Sequence, residues 1–440
     1  MSNTPNTPNV QLRRAVASSF LGSVIEYYDF LLYATASAVV FNKVFFSSLD
    51  PLVATIASFG TFATGYLARP LGGILFGHFG DLLGRKRMLV LSMALMGVAS
   101  FLIGLLPTYA QVGGLAPVGL VVLRVVQGIA VGGEWGGAVL MSAEHATRRR
   151  GLWAGFTNAG APCGLVLSSL ALTATAAAVG ERAFLDWGWR IPFLISVVLL
   201  GVGLFVRHRV EETPAFRAVR QEGGERRVGG KRRVPLLDVL RDHPRVLLLG
   251  IGVGLAAFVA QSTLTTFVVA HGVAAGHARQ TVLNALTLSS ACAVVGILAW
   301  SAASDRFGRR PVVVAGAVAM AGYAFVLFPL VDSGDTVLLT LALVLGQGVI
   351  HPMMYGPLAA LYSELFSTEN RYTGASLGYQ VAGLGAGVAP LLFAGIQQAT
   401  GGQGLTLISA TIAGFCALTV VCVLALKETS TRDLQPVALP

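Results

Sequence analysis

The stretch Gly77-His78-Phe79-Gly80-Asp81-Leu82-Leu83-Gly84-Arg85-Lys86-Arg87 separates two long apolar runs, and a near copy returns as Ser301-Ala302-Ala303-Ser304-Asp305-Arg306-Phe307-Gly308-Arg309-Arg310. Both read Gly/Ser-x-x-x-Asp-x-x-Gly-Arg-Lys/Arg. Each is flanked by segments of about 20 apolar residues, long enough to cross a bilayer. Each therefore reads as a short basic hairpin between two membrane helices, and its recurrence at a matched place reads as a duplicated chain.

Across 440 residues, 54% are hydrophobic and only 12% charged, whereas soluble domains carry about 25% charge. That balance excludes a soluble enzyme and leaves a polytopic membrane protein. Such runs must satisfy their backbone groups internally, so they are helices; the roughly 10-residue alternating segments of a membrane barrel are absent. A net charge of +10 raises the question of nucleic acid. The basic residues sit in loops between spans, as orientation signals do, so no nucleic acid is expected. Cys163, Cys292, Cys416 and Cys422 fall inside apolar runs without metal-type spacing, so neither a metal site nor a disulfide framework is expected. Met1–Gln11 is polar and no small-residue cleavage site follows the first apolar run, which predicts an uncleaved N-terminus in the cytoplasm.

Apolar runs predict twelve spans, at about 18–41, 52–78, 88–107, 116–141, 151–178, 187–208, 245–271, 281–302, 311–330, 336–364, 371–398 and 404–427. The Arg85–Arg87 and Arg148–Arg150 runs, Arg309, Arg310, Arg371 and Lys427 fall on one side, and positive residues stay inside, so both termini are expected to be cytoplasmic. The long polar connection 209–244 divides the spans six and six; within it, Pro235–Leu240 reads as a strut or plain linker. The organisation is thus a first half over 1–208, a cytoplasmic linker over 209–244, a second half over 245–427 and a short tail over 428–440. Gln127-Gly128 recurs as Gln347-Gly348, and Glu144 with Arg150 recurs as Glu364 with Arg371. The fold class is therefore an all-α polytopic membrane protein of twelve helices in two pseudo-symmetric halves. Internal repeats of this kind characterise secondary transporters, whose site lies near the midplane between halves that rock against each other.

A charge at bilayer depth costs about 2.5–3.5 kcal/mol on insertion scales, so ionisable residues inside spans are functional candidates. Five lie well inside: Glu26 and Asp29 in the first span, Arg69 in the second, Arg124 and Glu134 in the fourth; His351 in the tenth is a sixth. Glu26 and Asp29, three residues apart, share a helix face with Tyr33. Two carboxylates facing one cavity resist ionising together, so one holds a proton, as a carrier requires; the competing reading pairs one acid with an arginine to hold helices together. Arg124, in Arg-x-x-Gln-Gly, does not deprotonate and needs an acceptor. If that acceptor is Asp29, its protonation frees the guanidinium for a substrate carboxylate; a permanent structural pair is the alternative. Glu134 lies about 15 Å along the same helix, out of direct reach of Arg124, and is a candidate partner of Arg69 or a second proton step. Arg69 has a bland alternative in snorkelling to water, yet two buried arginines favour an anionic substrate. His351-Pro352 with Pro357 predicts a bend that leaves carbonyls free to bind; a packing histidine is the alternative.

Tyr28, Tyr33, Gln127, Asn158, Gln261, Tyr355, Tyr379 and Gln380 are candidate cavity-lining residues, although each alone reads equally as an interhelical hydrogen bond. In the hairpins, Asp81 and Asp305 each stand four residues before an arginine, Arg85 and Arg309. Topogenic charge explains the arginines but not the acids. A conformational latch is expected from Gly77, Asp81, Gly84, Arg85 and Lys86 in the first copy and Asp305 and Arg309 in the second.

These residues resemble the major facilitator superfamily: Gly77–Lys86 is similar to its loop signature, and Arg124-x-x-Gln127-Gly128 to its fourth-span arginine signature. Ile25-Glu26-Tyr27-Tyr28-Asp29-Phe30, Ala68-Arg69-Pro70-Leu71-Gly72-Gly73 and Gly132-Gly133-Glu134-Trp135-Gly136-Gly137 resemble the bacterial metabolite:proton symporters. Met354-Tyr355-Gly356-Pro357 and Arg371-Tyr372-Thr373-Gly374-Ala375-Ser376 resemble the branch containing shikimate transporters. The resemblance implies a carrier and not an enzyme, in the bacterial inner membrane, importing a small organic acid such as a shikimate-like compound or dicarboxylate with a proton by alternating access. Asp29, Glu26, Arg124 and Glu134 would be its proton-coupling residues, and Arg69 and Arg124 would meet the substrate. A betaine- or proline-type zwitterion is the alternative, and a drug:proton antiporter fits less, because span 5 reads Gly160-Ala161-Pro162-Cys163-Gly164. The expected partners are the organic anion, protons and lipid, with the chain acting as a monomer and without a cofactor.

Overall fold

The computed structural model describes residues 8–83, 85–146, 148–208, 239–241, 243–366 and 371–430. Among these residues, twelve long helices make up the bundle. They are α1 (Pro8–Ala36), α2 (Pro51–Leu83), α3 (Arg85–Leu105), α4 (Leu115–Ala143), α5 (Arg150–Val179) and α6 (Arg190–His208), then α7 (Pro244–Ala274), α8 (Arg279–Phe307), α9 (Arg309–Val331), α10 (Thr336–Leu365), α11 (Arg371–Ala399) and α12 (Leu405–Ala425). Ten of these are long and apolar enough to span a bilayer, and α6 makes an eleventh with the short segment Glu181–Gly188, from which it bends by 55°. The remaining helix, α1, is less apolar because Ser18, Ser19, Ser23, Glu26 and Asp29 interrupt its run, and all five are buried by neighbouring helices. Its polarity is thus spent inside the protein. Most of the linker 209–244 lies outside the described residues, as do Gly84 and the tail beyond 430.

The same packing recurs in both halves. α1 packs on α5, α2 on α4 and α3 on α6; six helices later, α7 packs on α11, α8 on α10 and α9 on α12. The halves meet along two seams, α5 against α8 and α2 against α11. Absent side chains permit the closest approaches: a Cβ on Gly128 or Gly132 of α4 would fall 2.0 Å from the carbonyl of Gly65 or Arg69 on α2, and one on Gly387 would fall 2.4 Å from Tyr66. Small residues let backbones touch where no hydrophobic force separates helix from lipid.

At the face where α1 begins and α12 ends the seams are closed by polar contacts. α4 breaks at Gly133–Glu134, and carbonyls near the break accept from the other half: Gln380 Nε2 donates to Gly132 (3.0 Å) and the Tyr372 hydroxyl to Gly133 (3.0 Å). Beside them, Asp305 of α8 accepts the backbone N–H groups of Gly151 (2.7 Å) and Leu152 (3.0 Å) at the start of α5. The residue preceding that helix, Arg149, is left-handed (φ 51°) and provides no side-chain cap. The cap therefore comes from the opposite half. Arg309 bridges Asp305 (2.8 Å) and Glu364 (3.1 Å), and Glu364 reaches back across the seam to Arg150 (3.6 Å). Glu428, just past α12, accepts from the backbone of Arg309 (2.9 Å) and Arg310 (3.1 Å), and the Thr429 hydroxyl donates to Glu364 (2.7 Å). The first-copy latch residues Gly77, Asp81, Gly84, Arg85 and Lys86 lie outside the residues whose side chains are described.

At the opposite face the halves part around a vestibule of about 1230 Å³, whose wall includes Lys43, Thr55, Glu181, His271, Arg279 and Gln397. Phe59 and Phe267 line it lower down. Glu181 and Arg279 form an ion pair from half to half across its rim, and His271 pairs with Asp332 at 2.7 Å.

Three outcomes follow from this packing. Gly128→Ala and Gly132→Ala should each cost at least about 1–3 kcal/mol by overpacking against backbone, whereas Gly60→Ala, with nothing within 4 Å of the added carbon, should leave the melting temperature unchanged; equal melts would refute the contact. Asp305→Ala should lose about 0.5–2 kcal/mol of capping energy, read as a lowered melting temperature in detergent. For Glu428, burial pushes the carboxyl up but the N–H groups of Arg309, Arg310 and Ser430 outweigh it and hold it below its ordinary value. Its contribution is then present above the usual carboxylate range and lost as pH falls through the depressed value. Glu428→Gln should melt below wild type at pH 7, and the gap should close on acidification.

Candidate functional site

Midway between the faces, α1, α2 and α4 gather the buried charges. Phe59, Phe62, Tyr66 and Arg69 descend one side of α2, so Arg69 lies about 15 Å beyond the vestibule residue Phe59. Its guanidinium is not snorkelling: Arg69 is 1% exposed and Arg124 0%. The carbon centre of each guanidinium sits over Phe30, Arg124 at 3.8 Å and Arg69 at 4.1 Å from the ring centroid; Tyr33 (4.2 Å) and Phe62 (5.3 Å) complete the box around Arg124, and Tyr66 (4.3 Å) flanks Arg69. Each such contact, desolvated, contributes about 2 kcal/mol. A Cβ on Gly65 would fall 2.4 Å from Arg124 Nε, so glycine there makes the room. Nε and Nη2 of both arginines have no hydrogen-bond partner among the described residues. Buried guanidinium donors without acceptors are costly, and they are what a carboxylate accepts bidentately from.

The two carboxylates of α1 do not share a cavity, which corrects the expectation from their spacing. Glu26 acts electrostatically on Arg69, toward α2. Asp29 turns toward α6, where its Oδ1 accepts from the Ser196 hydroxyl, while its Oδ2 is buried with no hydrogen-bond partner among the described residues. Three residues are 60° short of a full turn, enough to aim two short acids at different neighbours. Asp29 and Arg124 are not directly paired either. Arg124 Nη1 donates instead to Gln127 Oε1 (3.0 Å), and Gln127 Nε2 donates to Ser100 Oγ (2.7 Å), so the guanidinium is met by a neutral amide where a salt bridge was expected. Glu134 stands at the N-terminal boundary of the second segment of α4, at the break, where its side chain makes no capping hydrogen bond; it is buried, at the closed end.

The partner surface comes from the second half and is neutral. Tyr27, Tyr355 and Tyr379 join their hydroxyls across the seam at 3.0, 3.3 and 2.8 Å. The Trp135 ring lies flat on Tyr379, with centroids 3.4 Å apart, and its N–H donates to Asn158, whose amide donates to the Tyr355 carbonyl. His351 stacks on Tyr355, and neither ring nitrogen makes a hydrogen bond of good geometry; Gln261 Oε1 and Gln347 Oε1 are also buried without partners. The bend expected near His351 is a π-helical turn over Val344–Ile350, facing another over Thr263–Phe267 in α7. Such turns recur at functional sites because they free backbone groups.

Of the expected lining residues, Tyr33, Gln127, Asn158, Gln261, His351, Tyr355 and Tyr379 fall in this region, and Gln380 serves the closed end. Tyr28 does not belong: its hydroxyl donates to the Pro192 carbonyl (2.8 Å), toward α6. Its neighbour Tyr27 holds the interface place instead. Ser100, Ser196, Phe30, Phe62 and Tyr66 carry no signal in the sequence, since single serines and aromatics in apolar spans usually only pack. Among the described residues there is no cluster of His, Cys, Asp or Glu able to hold a metal.

Comparison with known proteins gives the same architecture. The family model described as Major Facilitator Superfamily matches residues 19–286 and 274–438. The shikimate transporter of Escherichia coli (strain K12) is 37% identical over 421 residues, covering 94% of each chain. The inner membrane metabolite transport protein YhjE of the same strain is 37% identical, covering 97% of each. The proline/betaine transporter of Salmonella typhimurium (strain LT2) is 33% identical over 97% of this chain and 85% of that protein. Among solved structures, the proton:xylose symporter XylE bound to 6-bromo-6-deoxy-D-glucose superposes with a TM-score of 0.74 at 18% identity, covering 97% of this chain and 98% of that one. With its two six-helix halves and these relatives, the chain belongs to the major facilitator superfamily.

Proposed function

We propose that this transporter imports a small organic acid together with a proton across the bacterial inner membrane. The observation that carries the reading is the pair of fully buried arginines, Arg69 and Arg124, whose unpartnered N–H groups sit on one side of the seam, against a neutral polar surface on the other. The carboxylate of the substrate engages Arg124, and Arg69 beside it supplies a second cation partly offset by Glu26. The remainder of the molecule meets neutral groups along the seam, Gln261 and His351 of the second half and the tyrosine triad that both halves share. Asp29 is the proton carrier. The vestibule, on the positive-inside argument, opens to the periplasm, with both termini in the cytoplasm. The Asp305–Arg309–Glu364 cluster then acts as the latch of the outward-facing state, and it must part before the loaded halves rock inward.

One relative supports the substrate class by name, the shikimate transporter, and the xylose symporter shows proton symport on this fold. A second reading, a proline- or betaine-type zwitterion, draws on the 33% identical osmolyte transporter. It needs an anion beside the substrate's cation, and here Glu26 already acts on Arg69.

The test is uptake into proteoliposomes of labelled shikimate, succinate, citrate, benzoate and glycine betaine under an inward acid gradient. An organic acid should accumulate, alkalinising the medium. Asp29→Asn should abolish gradient-driven accumulation while exchange across the membrane persists, and Arg124→Lys should raise KM by about tenfold or more, because one charge-assisted hydrogen bond contributes about 1.5–3 kcal/mol. Undiminished gradient dependence in Asp29→Asn would remove Asp29 from the scheme; accumulation of betaine alone would replace the organic-acid reading.

A further inference from the structure

The second half holds a set of buried polar atoms that its own residues leave unfilled. Gln261 of α7 and Gln347 and His351 of α10 are 4%, 2% and 1% exposed, yet Oε1 of each glutamine and both ring nitrogens of His351 have no hydrogen-bond partner among the described residues. Leaving such groups unpaired is costly, so three of them in one region point to a ligand that completes them.

Their placement ties them to the arginines. A Cβ on Gly383 of α11 would lie 3.8 Å both from Arg69 Nη1 and from the Phe258 ring, so the guanidinium and that ring border one stretch of bare backbone. Phe258 meets the rings of Tyr355 (6.2 Å between centroids) and Tyr379 (4.8 Å), and His351 stacks on Tyr355 (5.2 Å). α7 runs toward the vestibule, where Phe267 lines the wall, and α10 runs away from it to Glu364 at the closed face. Gln261 follows Phe258 on α7 and Gln347 precedes His351 on α10, so each glutamine stands about one turn nearer the vestibule than the rings.

The chemistry of the three groups names their partner. A glutamine amide both donates and accepts, whichever way it is turned, and a neutral imidazole does the same through its two nitrogens. A hydroxyl, which also donates and accepts, completes either one. A carboxylate or ketone only accepts, an ammonium only donates, and a quaternary ammonium does neither. Nor does the second half favour a further carboxylate here: among the described residues, each of its lysines and arginines lies at or next to a helix end. We propose that Gln261, Gln347 and His351 are specificity-determining residues that receive hydroxyl groups of the transported acid, so that the substrate is a hydroxylated carboxylic acid with its carboxylate toward Arg124 and its hydroxyls toward α7 and α10. This rests on the reading of Arg124 as the carboxylate site. An acid without hydroxyls is rejected because it leaves those buried groups unpaired.

The experiment measures dissociation constants of the purified full chain, by isothermal titration, for two matched pairs that differ in hydroxyls alone: shikimate against cyclohexenecarboxylate, and malate against succinate. In wild type the hydroxylated member of at least one pair should bind about tenfold tighter or more. In Gln347→Met and Gln261→Met, of similar volume but without an amide, that ratio should fall toward one. Melting curves check that each variant folds; if one does not, the other carries the test, and the wild-type ratios stand without either. Equal affinities within both pairs, or variants that keep the wild-type ratio, overturn the hydroxyl assignment and leave the organic-acid reading in place. If none of the four acids binds, the organic-acid reading falls and this assignment with it.

Discussion

A guanidinium cannot shed its charge in the middle of a membrane, so every arginine carried there must be given something to hold. That constraint organises this bundle. Arg69 and Arg124 are met by π faces, Phe30 shared between them, Arg124 also by the Gln127 amide, but Nε and Nη2 of both have no acceptor among the described residues. The glycines at 65, 128 and 132 then read as consequences: α2 and α4 must approach to backbone contact for the aromatic box to close around a side chain as long as arginine.

The two halves repeat each other in packing but not in chemistry. Helix pairs recur six elements apart, yet the carboxylates and guanidiniums at mid-depth belong to α1, α2 and α4, while the matching region of the second half offers amides, an imidazole and phenols. A symmetric pair of charged sites would have cost two sets of buried ions; dividing the tasks leaves one half to handle charge and the other to meet neutral polar groups. The π-turns of α7 and α10 fall on that neutral side, where freed carbonyls can bind without adding charge.

Much of this was legible in the residues alone. Long apolar runs dictate helices because lipid demands that each run satisfy its own backbone groups, and the repeated hairpin with its matched acid and arginine dictates the duplication. Arg69, Arg124 and Asp29 stand out because an ion in an apolar run is expensive. What the pattern does not reveal is the azimuth of a side chain about a helix. Tyr27 and Tyr28 are adjacent and chemically identical, and only neighbouring helices decide that the first joins the interface and the second bonds to Pro192. Glu26 and Asp29 diverge for the same reason. Ser100 was invisible, because a serine in a membrane helix normally satisfies its own backbone; the bond it accepts comes from Gln127 on the next helix, 27 residues away in sequence.

The start of α5 is finished by a carboxylate that belongs to the other half. Once the halves separate, the amides of Gly151 and Leu152 lose their acceptor, and nothing in their own helix replaces it. Solvent must then supply the missing bonds. The equilibrium between the two orientations of the carrier thus includes a hydration step at one face, and conditions that lower water activity there, such as concentrated solutes, would hold the molecule in the form whose helix is already capped.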